Sequence, residues 1–201
     1  MIPANTAGEG GTVVVYGTDP AEDPPPGVPV LEVYADLRCP YCKRMDRALG
    51  STMQQLADDG QLVLNYHFAT FLDRELGGHG SHRALNALGA AANTGQRHFM
   101  AYLHALYRSQ PRENSDGFAE ERTLLGLASE VPGLRSPEFE NAVLEGAFHS
   151  WVERVSRAFD ESGVDSTPTV RFADRPVHVL DRDGHALEPE EFTDRLRSVA
   201  G

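Results

Sequence analysis

Two cysteines, Cys39 and Cys42, are the residues of this chain whose type and spacing best suit chemistry. They are the only two cysteines in 201 residues, and they enclose Pro40 and Tyr41. Residues three apart share one face of a helix, so both thiols can lie at one helix end. There, free backbone N–H groups and the positive end of the helix dipole favour the thiolate of the first cysteine. The spacing therefore predicts Cys39 as the nucleophile and Cys42 as the resolving thiol of a redox pair.

The elements around this pair must present it at a strand-to-helix junction. Residues 28–35 are mostly apolar and indicate a buried strand, and apolar residues at helical spacing continue to about residue 57. Pro40 suits the first helical turn, where its missing N–H group costs nothing. Residues 62–68 alternate and predict a second core strand, so this part of the chain indicates a right-handed βαβ unit with parallel strands. Residues 12–16 predict a further short strand.

A helical block and a second β-containing stretch follow. Apolar residues at helical spacing predict five helices, at about residues 84–92, 99–107, 118–129, 138–145 and 149–162. Beyond Gly163, the sequence predicts strands at 169–172 and 177–180, a hairpin connection at 173–176 and an amphipathic helix at 189–200.

This order of elements predicts how the chain is organised. We expect an α/β domain built from residues 12–73 and 163–201, with an all-helical insertion at residues 74–162. Residues 1–11 are small and polar, and we expect them to be flexible.

Composition limits the partners that this protein can have. The formal net charge is −12, with 40% hydrophobic and 24% charged residues, which is ordinary for a globular protein. The negative charge disfavours nucleic acid or an anionic membrane as the main partner. Because no apolar run approaches roughly 18 residues, we expect no membrane span. No dimerisation segment is visible, and we expect a monomer.

The first residues bear on the compartment. Residues 1–5 lack the basic region followed by an apolar one that marks a signal peptide. We therefore expect a cytoplasmic protein, or a protein of the cell envelope if a leader or anchor precedes this chain. Two cysteines without further structural pairs fit both compartments.

Two other interpretations of the cysteine pair remain open. The pair could supply half of a zinc site with His79 or His82, which form an H-x-x-H pattern in a predicted glycine-rich loop. The chain between Cys42 and His79 is much longer than a zinc-finger spacer, which disfavours this interpretation. The pair could also be a structural disulfide, but so short a loop constrains the unfolded chain little.

A second stretch of interest is Thr167-Pro168, directly before the predicted strand at 169–172. By itself this step predicts a turn or the entry to a strand, because proline cannot donate a hydrogen bond to a ladder. Together with the cysteine helix and the helical block between them, however, the organisation of the chain resembles the thioredoxin superfamily. Within it, the chain is similar to the DsbA-like thiol-disulfide oxidoreductases.

Two motifs carry this resemblance, which covers residues 13–199. They are Asp36-x-x-Cys39-Pro40-Tyr41-Cys42-Lys43 and Gly163-Val164-x-x-Thr167-Pro168-Thr169-Val170. The resemblance implies an α/β thioredoxin fold with an inserted all-helical subdomain. It also implies that Pro168 is a cis proline facing the cysteine pair, and that the backbone of Thr167 docks an extended substrate peptide.

Two positions depart from the pattern of that family. Thioredoxin-like proteins often carry a buried acid six residues before the first cysteine, and here that position is Val33. Glu32 is adjacent, but strand alternation points it to the opposite face. The proton acceptor of the resolving thiol is therefore open. Asp165 and Ser166 stand where family members commonly have a glycine just before Thr-Pro.

The resemblance implies a dithiol-disulfide oxidoreductase that acts on cysteine-containing proteins through a mixed disulfide on Cys39, with a separate redox-recycling partner and no cofactor. The dipeptide Pro40-Tyr41 tunes the redox potential, and Tyr41 lacks the imidazole that oxidising relatives place there, which favours a less oxidising couple. One alternative is a glutathione-linked transferase or isomerase of the same fold. Another is a non-enzymatic metal-binding module that uses both thiolates, with His79 or His82.

Overall fold

A six-stranded mixed sheet forms the centre of the molecule. The computed structural model describes residues 1–200. The strands are β1 (Thr6–Ala7), β2 (Val13–Tyr16), β3 (Val30–Asp36), β4 (Val63–Ala69), β5 (Thr169–Phe172) and β6 (Arg175–Pro176). Their order in the sheet is β1-β2-β4-β3-β5-β6. Strands β3 and β4 are parallel, with Val33 opposite Tyr66. The predicted parallel strand pair is therefore confirmed.

Strand β3 lies between β4 and β5 and leads directly to the cysteines. Its side chains alternate between two faces that are both covered. Leu31, Val33 and Ala35 are buried in the main hydrophobic core. Tyr34 packs on the opposite face against Phe159. Burial on both faces explains the nearly continuous apolar run and fixes the direction in which β3 presents the following loop.

Helices pack on both sides of this sheet. Those in the described residues are α1 (Pro40–Met45), α2 (Ser51–Asp58), α3 (Phe71–Leu76), α4 (Gly80–Thr94), α5 (Gln96–Arg108), α6 (Glu121–Ala128), α7 (Pro137–Leu144), α8 (His149–Glu161) and α9 (Pro189–Ala200). Helices α4 to α8 correspond to the five helices predicted for the insertion, whereas α3 was not predicted. Across residues 1–200, no helix has the length and apolar character that crossing a membrane requires.

The helix predicted to continue from the cysteines to about residue 57 is interrupted. A π-helical turn at Asp46–Gly50 separates α1 from α2. The Asp46 carboxylate hydrogen-bonds His104 Nδ1 of α5 at 2.9 Å. A Cβ atom at Gly50 would lie 2.7 Å from Asp46 Oδ1 and 2.8 Å from His104 Cε1. Because Gly50 has no side chain, the Asp46 and His104 side chains have space to form the hydrogen bond that joins the cysteine helix to α5.

One hydrophobic core joins the sheet to the helical insertion. Leu49 of the π turn and Phe99 of α5 belong to the same cluster of buried residues as Val33 of β3. The first residues take part as well, through β1 and a short 3₁₀ turn at Glu9–Gly11 that were not predicted. The buried indole N–H of Trp151 donates a hydrogen bond to the carbonyl oxygen of Gly11 at 2.7 Å. The insertion is thus packed firmly against the βαβ unit.

The C-terminal hairpin differs from its prediction. The second strand is Arg175–Pro176, whereas residues 177–180 were predicted. The connection is only Ala173 and Asp174, whose positive φ angles of 47° and 62° suit a tight two-residue hairpin turn. Pairing therefore begins earlier than predicted, and beyond Pro176 the backbone N–H of Val177 still donates to the Val170 carbonyl oxygen at 2.9 Å.

The H-x-x-H pattern was predicted in a loop, and this prediction is wrong for His82, whereas His79 lies at the end of the glycine-rich loop. His79 is the N-cap residue of α4, and His82 lies in its first turn. Two carboxylates from outside the helix accept hydrogen bonds from the free N–H groups of this helix end. Asp116 accepts from Gly80 N at 2.7 Å, and Asp73 accepts from His82 N at 2.9 Å. These tertiary caps start the helix in a glycine-rich stretch that has no strong local start signal.

Candidate active site

Cys39 occupies the N-cap position of α1. Its backbone is extended, with φ −68° and ψ 119°, and its sulfur accepts a hydrogen bond from the backbone N–H of Cys42 at 3.4 Å. Pro40 is the first helical residue. The sulfur therefore takes the place of the side-chain oxygen in an ordinary N-cap, and it sits where the helix N–H groups favour negative charge.

The two thiols have different environments. Both are free thiols, with Cys39 4% exposed and Cys42 fully buried. The Cys42 thiol, the Thr167 side chain and the backbone N–H groups of Cys42 and Tyr41 stabilise the Cys39 thiolate. They lower the pKa of Cys39 to about 7, although burial opposes the shift. Burial, and then the neighbouring Cys39, raise the pKa of Cys42 well above its ordinary value. At neutral pH the pair therefore favours one thiolate, on Cys39.

Thr167 and Pro168 lie beside this thiol. The Thr167–Pro168 peptide bond is cis, and the Cys39 thiol donates a hydrogen bond to the Thr167 carbonyl oxygen at 3.3 Å. Both residues are partly exposed. A cavity of about 260 Å³ lies against Pro168 and is lined on its other side by residues 176–180. The cysteine motif and the Thr-Pro step, far apart in sequence, thus form one site with an open face.

Gln110 holds the loop that carries Cys39, and sequence reasoning missed it. This buried residue follows α5, and its side-chain amide donates hydrogen bonds to the carbonyl oxygens of Leu37 at 2.8 Å and Cys39 at 3.0 Å. The Lys43 ammonium donates a hydrogen bond to the backbone carbonyl oxygen of Gln110 at 3.1 Å. No local pattern marks such a residue, because its partners lie about 70 positions away.

Asp36 is a buried acid at a position where none was sought. It ends β3, three residues before Cys39, and its carboxylate accepts hydrogen bonds from Arg38 N at 2.9 Å and Ser81 Oγ at 2.6 Å. Burial raises the pKa of Asp36 to about 6. Its side-chain partners among the described residues do not include Cys42, so Asp36 positions the loop.

The position six residues before Cys39, where related proteins often carry a buried acid, is occupied by Val33 and faces the core. Val33 is fully buried in the main core. Glu32 lies on the other face of the sheet, where its carboxylate contacts Asn65 and His67. The strand alternation inferred from sequence is therefore correct, and no carboxylate from β3 reaches Cys42 through these two positions.

Arg38 ties the cysteine loop to the helical insertion. Its guanidinium is 4% exposed and pairs with the Asp73 carboxylate at 2.7 Å, and it also donates to the Gly77 carbonyl oxygen at 2.8 Å. The same Asp73 carboxylate caps the start of α4. The buried ion pair of Arg38 with Asp73 therefore fixes the loop before Cys39 relative to the start of α4.

Tyr41 is the exposed side chain of the motif. It is 44% exposed, and the Arg44 guanidinium lies over its ring at 4.9 Å. Arg44 also donates to the Gly184 carbonyl oxygen at 2.8 Å. The turn at residues 181–185 therefore borders the cysteine helix and leaves the tyrosine ring available to a partner.

The histidines of the metal interpretation do not join the cysteines. Among the described residues, the one group of three possible ligands within 4.8 Å of one another is Asp181, Asp183 and His185. His82 instead faces His149, with 2.8 Å between His82 Nε2 and His149 Nδ1. The structure thus gives the thiolates no third ligand from His79 or His82.

The ionisation of Cys39 provides a direct test of this geometry. In a Cys42→Ser variant, whose hydroxyl can still donate a hydrogen bond, we expect the alkylation rate of Cys39 by iodoacetamide to rise with pH around about 7. In Cys42→Ala, the first of the stabilising hydrogen bonds is lost, so the apparent pKa should rise. An apparent pKa near 9 in Cys42→Ser, or equal values in both variants, would contradict the assignment.

Gln110 can be tested by truncation. Gln110→Ala removes the donor from two buried carbonyl oxygens, and we expect a loss of about 1–3 kcal/mol in the free energy of unfolding. The pH profile of Cys39 alkylation should shift as well, because the cysteine loop loses its support. Gln55→Ala, at an exposed position of α2, is the matched control and should change stability by less than about 0.5 kcal/mol. Equal effects of the two substitutions would show that Gln110 does not hold the loop.

Solved structures with the same fold come from several bacteria. DsbA from Mycobacterium tuberculosis in its reduced form matches with a TM-score of 0.74 and 24% identity over 95% of this chain and 93% of that one. BdbD from Bacillus subtilis matches with a TM-score of 0.71 and 20% identity over 98% and 100%. MdbA from Actinomyces oris, a thiol-disulfide oxidoreductase, matches with a TM-score of 0.73 and 19% identity over 98% and 92%. These matches show that the fold is of the DsbA type, with its helical insertion.

Comparison of the sequence with protein families gives a match over most of the chain. No curated protein matches the sequence. A family model described as thioredoxin matches residues 20–193, a stretch that includes both cysteines and the Thr167-Pro168 step. The predicted α/β thioredoxin fold is therefore confirmed, and the chain belongs to the thioredoxin family.

Proposed function

We propose that this protein is a thiol-disulfide oxidoreductase that exchanges disulfides with cysteine-containing proteins. The observation that carries the proposal is the position of the Cys39 sulfur. It lies at a helix N-terminus, it has a buried partner thiol on Cys42, and it is 3.3 Å from the carbonyl oxygen of Thr167 at an open surface. A reactive thiolate, a resolving thiol and a peptide-facing backbone are the parts that such exchange needs.

The first step is attack by the Cys39 thiolate on one sulfur of a substrate disulfide. A new S–S bond joins Cys39 to the substrate, and the other substrate sulfur leaves as a thiolate. A pKa of about 7 keeps about half of Cys39 ionised at neutral pH, while the sulfur remains nucleophilic. The balance between ionisation and nucleophilicity is best when the pKa lies near the ambient pH.

The second step is attack by Cys42 on the Cys39 sulfur. This attack breaks the mixed disulfide, releases the second substrate thiolate and leaves a Cys39–Cys42 disulfide, so the substrate gains two electrons. The same steps in reverse oxidise a substrate dithiol. The charge and the hydrogen bonding of Cys39 contribute to the raised pKa of Cys42. Formation of the mixed disulfide neutralises Cys39, which lowers the pKa of Cys42 when its thiolate is needed.

The substrate is expected to bind as an extended peptide along Thr167. The Thr167 carbonyl oxygen lies 3.3 Å from the Cys39 sulfur, and the partly exposed backbone there can pair with a substrate strand. The cavity of about 260 Å³ beside Pro168 offers space for a side chain. Tyr41 provides an exposed aromatic surface on the other side of the motif.

A separate partner must recycle the pair, since each turnover changes its oxidation state. The direction of that reaction depends on the reduction potential of the Cys39–Cys42 couple. Equilibration with glutathione measures it: a value near about −120 mV marks an oxidant and one near about −270 mV a reductant. Tyr41 provides no imidazolium beside the thiolate, and this favours a value below that of the strongest oxidants.

Mixed-disulfide trapping tests the proposed mechanism. In Cys42→Ser, the second step cannot occur, so we expect a covalent adduct with a disulfide-containing substrate such as insulin. The adduct should be visible by non-reducing electrophoresis and released by dithiothreitol. Cys39→Ser is the matched control, and it should form no adduct because its buried Cys42 is a neutral thiol.

Two results would contradict the mechanism. One is the absence of both an adduct in Cys42→Ser and insulin reduction by the unmodified chain. The other is turnover of glutathione that survives Cys42→Ser undiminished, since a glutathione-linked transferase or isomerase needs only the first thiol.

A further inference from the structure

Two histidines that the redox site does not use face each other on the helical insertion. His82 lies in the first turn of α4 and His149 is the first residue of α8. His82 Nε2 and His149 Nδ1 are 2.8 Å apart, and the ring centroids are 4.5 Å apart at an interplanar angle of 51°. The two rings thus direct ring nitrogens toward one point between two separate helices.

We propose that His82 and His149 bind a divalent transition-metal ion such as Zn²⁺ or Ni²⁺. Neutral imidazole is the commonest protein ligand for these ions. At 2.8 Å, one ring donates its inner N–H to the inner nitrogen of the other. When a cation binds, that proton moves through water to the outer nitrogen of the same ring, so both rings stay neutral and each inner nitrogen gives a lone pair to the metal. Two nitrogens about 2.0–2.1 Å from a tetrahedral zinc ion lie about 3.3 Å apart. Small side-chain rotations can increase the distance between His82 Nε2 and His149 Nδ1 by the about 0.5 Å that this requires.

The backbone around both histidines is held in place. Asn86, one turn after His82, is buried, and its side-chain oxygen accepts a hydrogen bond from Phe148 N at 2.9 Å. This contact fixes the residue directly before His149 against α4. At the other ring, the backbone N–H of His82 donates to Asp73. Both helix starts are therefore fixed relative to each other before any ion binds.

The surroundings of the pair suit a hydrated cation. The two rings border a cleft of about 600 Å³ that is also lined by His79, Glu145 and Arg83. The Arg83 guanidinium pairs with Glu121 at 2.7 Å, which offsets its positive charge. Glu153, one turn after His149, lies 3.4 Å from the outer ring nitrogen of His149. Water can complete the coordination in so open a cleft, and the net charge of −12 attracts cations to the surface.

The acidic turn at residues 181–185 is a weaker candidate for the same ion. Asp181, Asp183 and His185 are all exposed. The Asp181 carboxylate already accepts hydrogen bonds from the backbone N–H groups of Asp183 at 2.9 Å and His185 at 2.8 Å. These bonds build the turn, and the geometry needs no ion. His185 therefore supplies a control position.

Calorimetry with Zn²⁺ tests the proposal. The chain of 201 residues carries Cys39→Ser and Cys42→Ser, so that no thiolate competes. We expect one Zn²⁺ per chain and a thermal midpoint that rises with zinc concentration. His82→Asn and His149→Asn should each weaken binding by at least about tenfold. His185→Asn and His98→Asn, both on other surfaces, should bind as the parent does. The proposal concerns a site apart from the thiols and does not depend on the proposed redox function.

Protection from chemical modification gives a second readout that needs no histidine substitution. Zinc should slow the reaction of diethylpyrocarbonate with His82 and His149 and leave His185 unaffected. The proposal is wrong if the chain binds no zinc, if His185→Asn removes the binding, or if His82→Asn and His149→Asn, folded by circular dichroism, bind as the parent does.

Discussion

The contact between the Cys39 sulfur and the N-terminus of α1 is the interaction on which the site depends. Burial of the sulfur disfavours a thiolate, and only the hydrogen bonds from the Cys42 thiol, the helix N–H groups and the Thr167 side chain reverse that effect. The structure therefore favours a thiolate on a cysteine that is only 4% exposed. Its position as the N-cap residue ties its chemistry to the geometry of the helix: a displaced loop changes the ionisation of the thiol and its orientation together.

The helical insertion provides the support that this geometry requires. Gln110 donates hydrogen bonds to two carbonyl groups of the cysteine loop. Ser81 of α4 donates to the Asp36 carboxylate, and Arg38 of the loop pairs with Asp73 of α3. The contacts of Gln110 satisfy two backbone carbonyl groups of a buried loop that lies outside any helix or strand ladder. The insertion shares the hydrophobic core of the sheet, so the loop is held between two parts of one packed unit.

The two thiols differ in protonation because Cys42 is fully buried, which raises its pKa, and because the two thiols also interact with each other. The proton on Cys42 stabilises the charge on Cys39, and that charge in turn disfavours a second thiolate on Cys42. Such a pair releases its second proton only after the first sulfur has lost its charge. In the proposed mechanism, this difference in pKa places the attack by Cys39 before the attack by Cys42.

The sequence by itself determined the features that depend on neighbours along the chain. The three-residue spacing of Cys39 and Cys42, with Pro40 between them, sets the helix start, and the alternation that puts Glu32 and Val33 on opposite faces follows from the strand itself. The helical block was visible in its apolar periodicity. The π turn, α3 and the shifted C-terminal hairpin were missed, because side-chain pairs and backbone φ angles outweigh local preference there.

Only the tertiary structure decided which distant residues meet. The approach of Thr167 to Cys39 spans 128 positions of sequence, and the contacts of Gln110 with the cysteine loop span more than 70. The burial of Asp36 and the pairing of His82 with His149 likewise depend on how helices pack. Spacing encodes neighbours within one helix or strand, whereas contacts between elements follow from the shape and polarity of whole packed surfaces, which no local pattern contains.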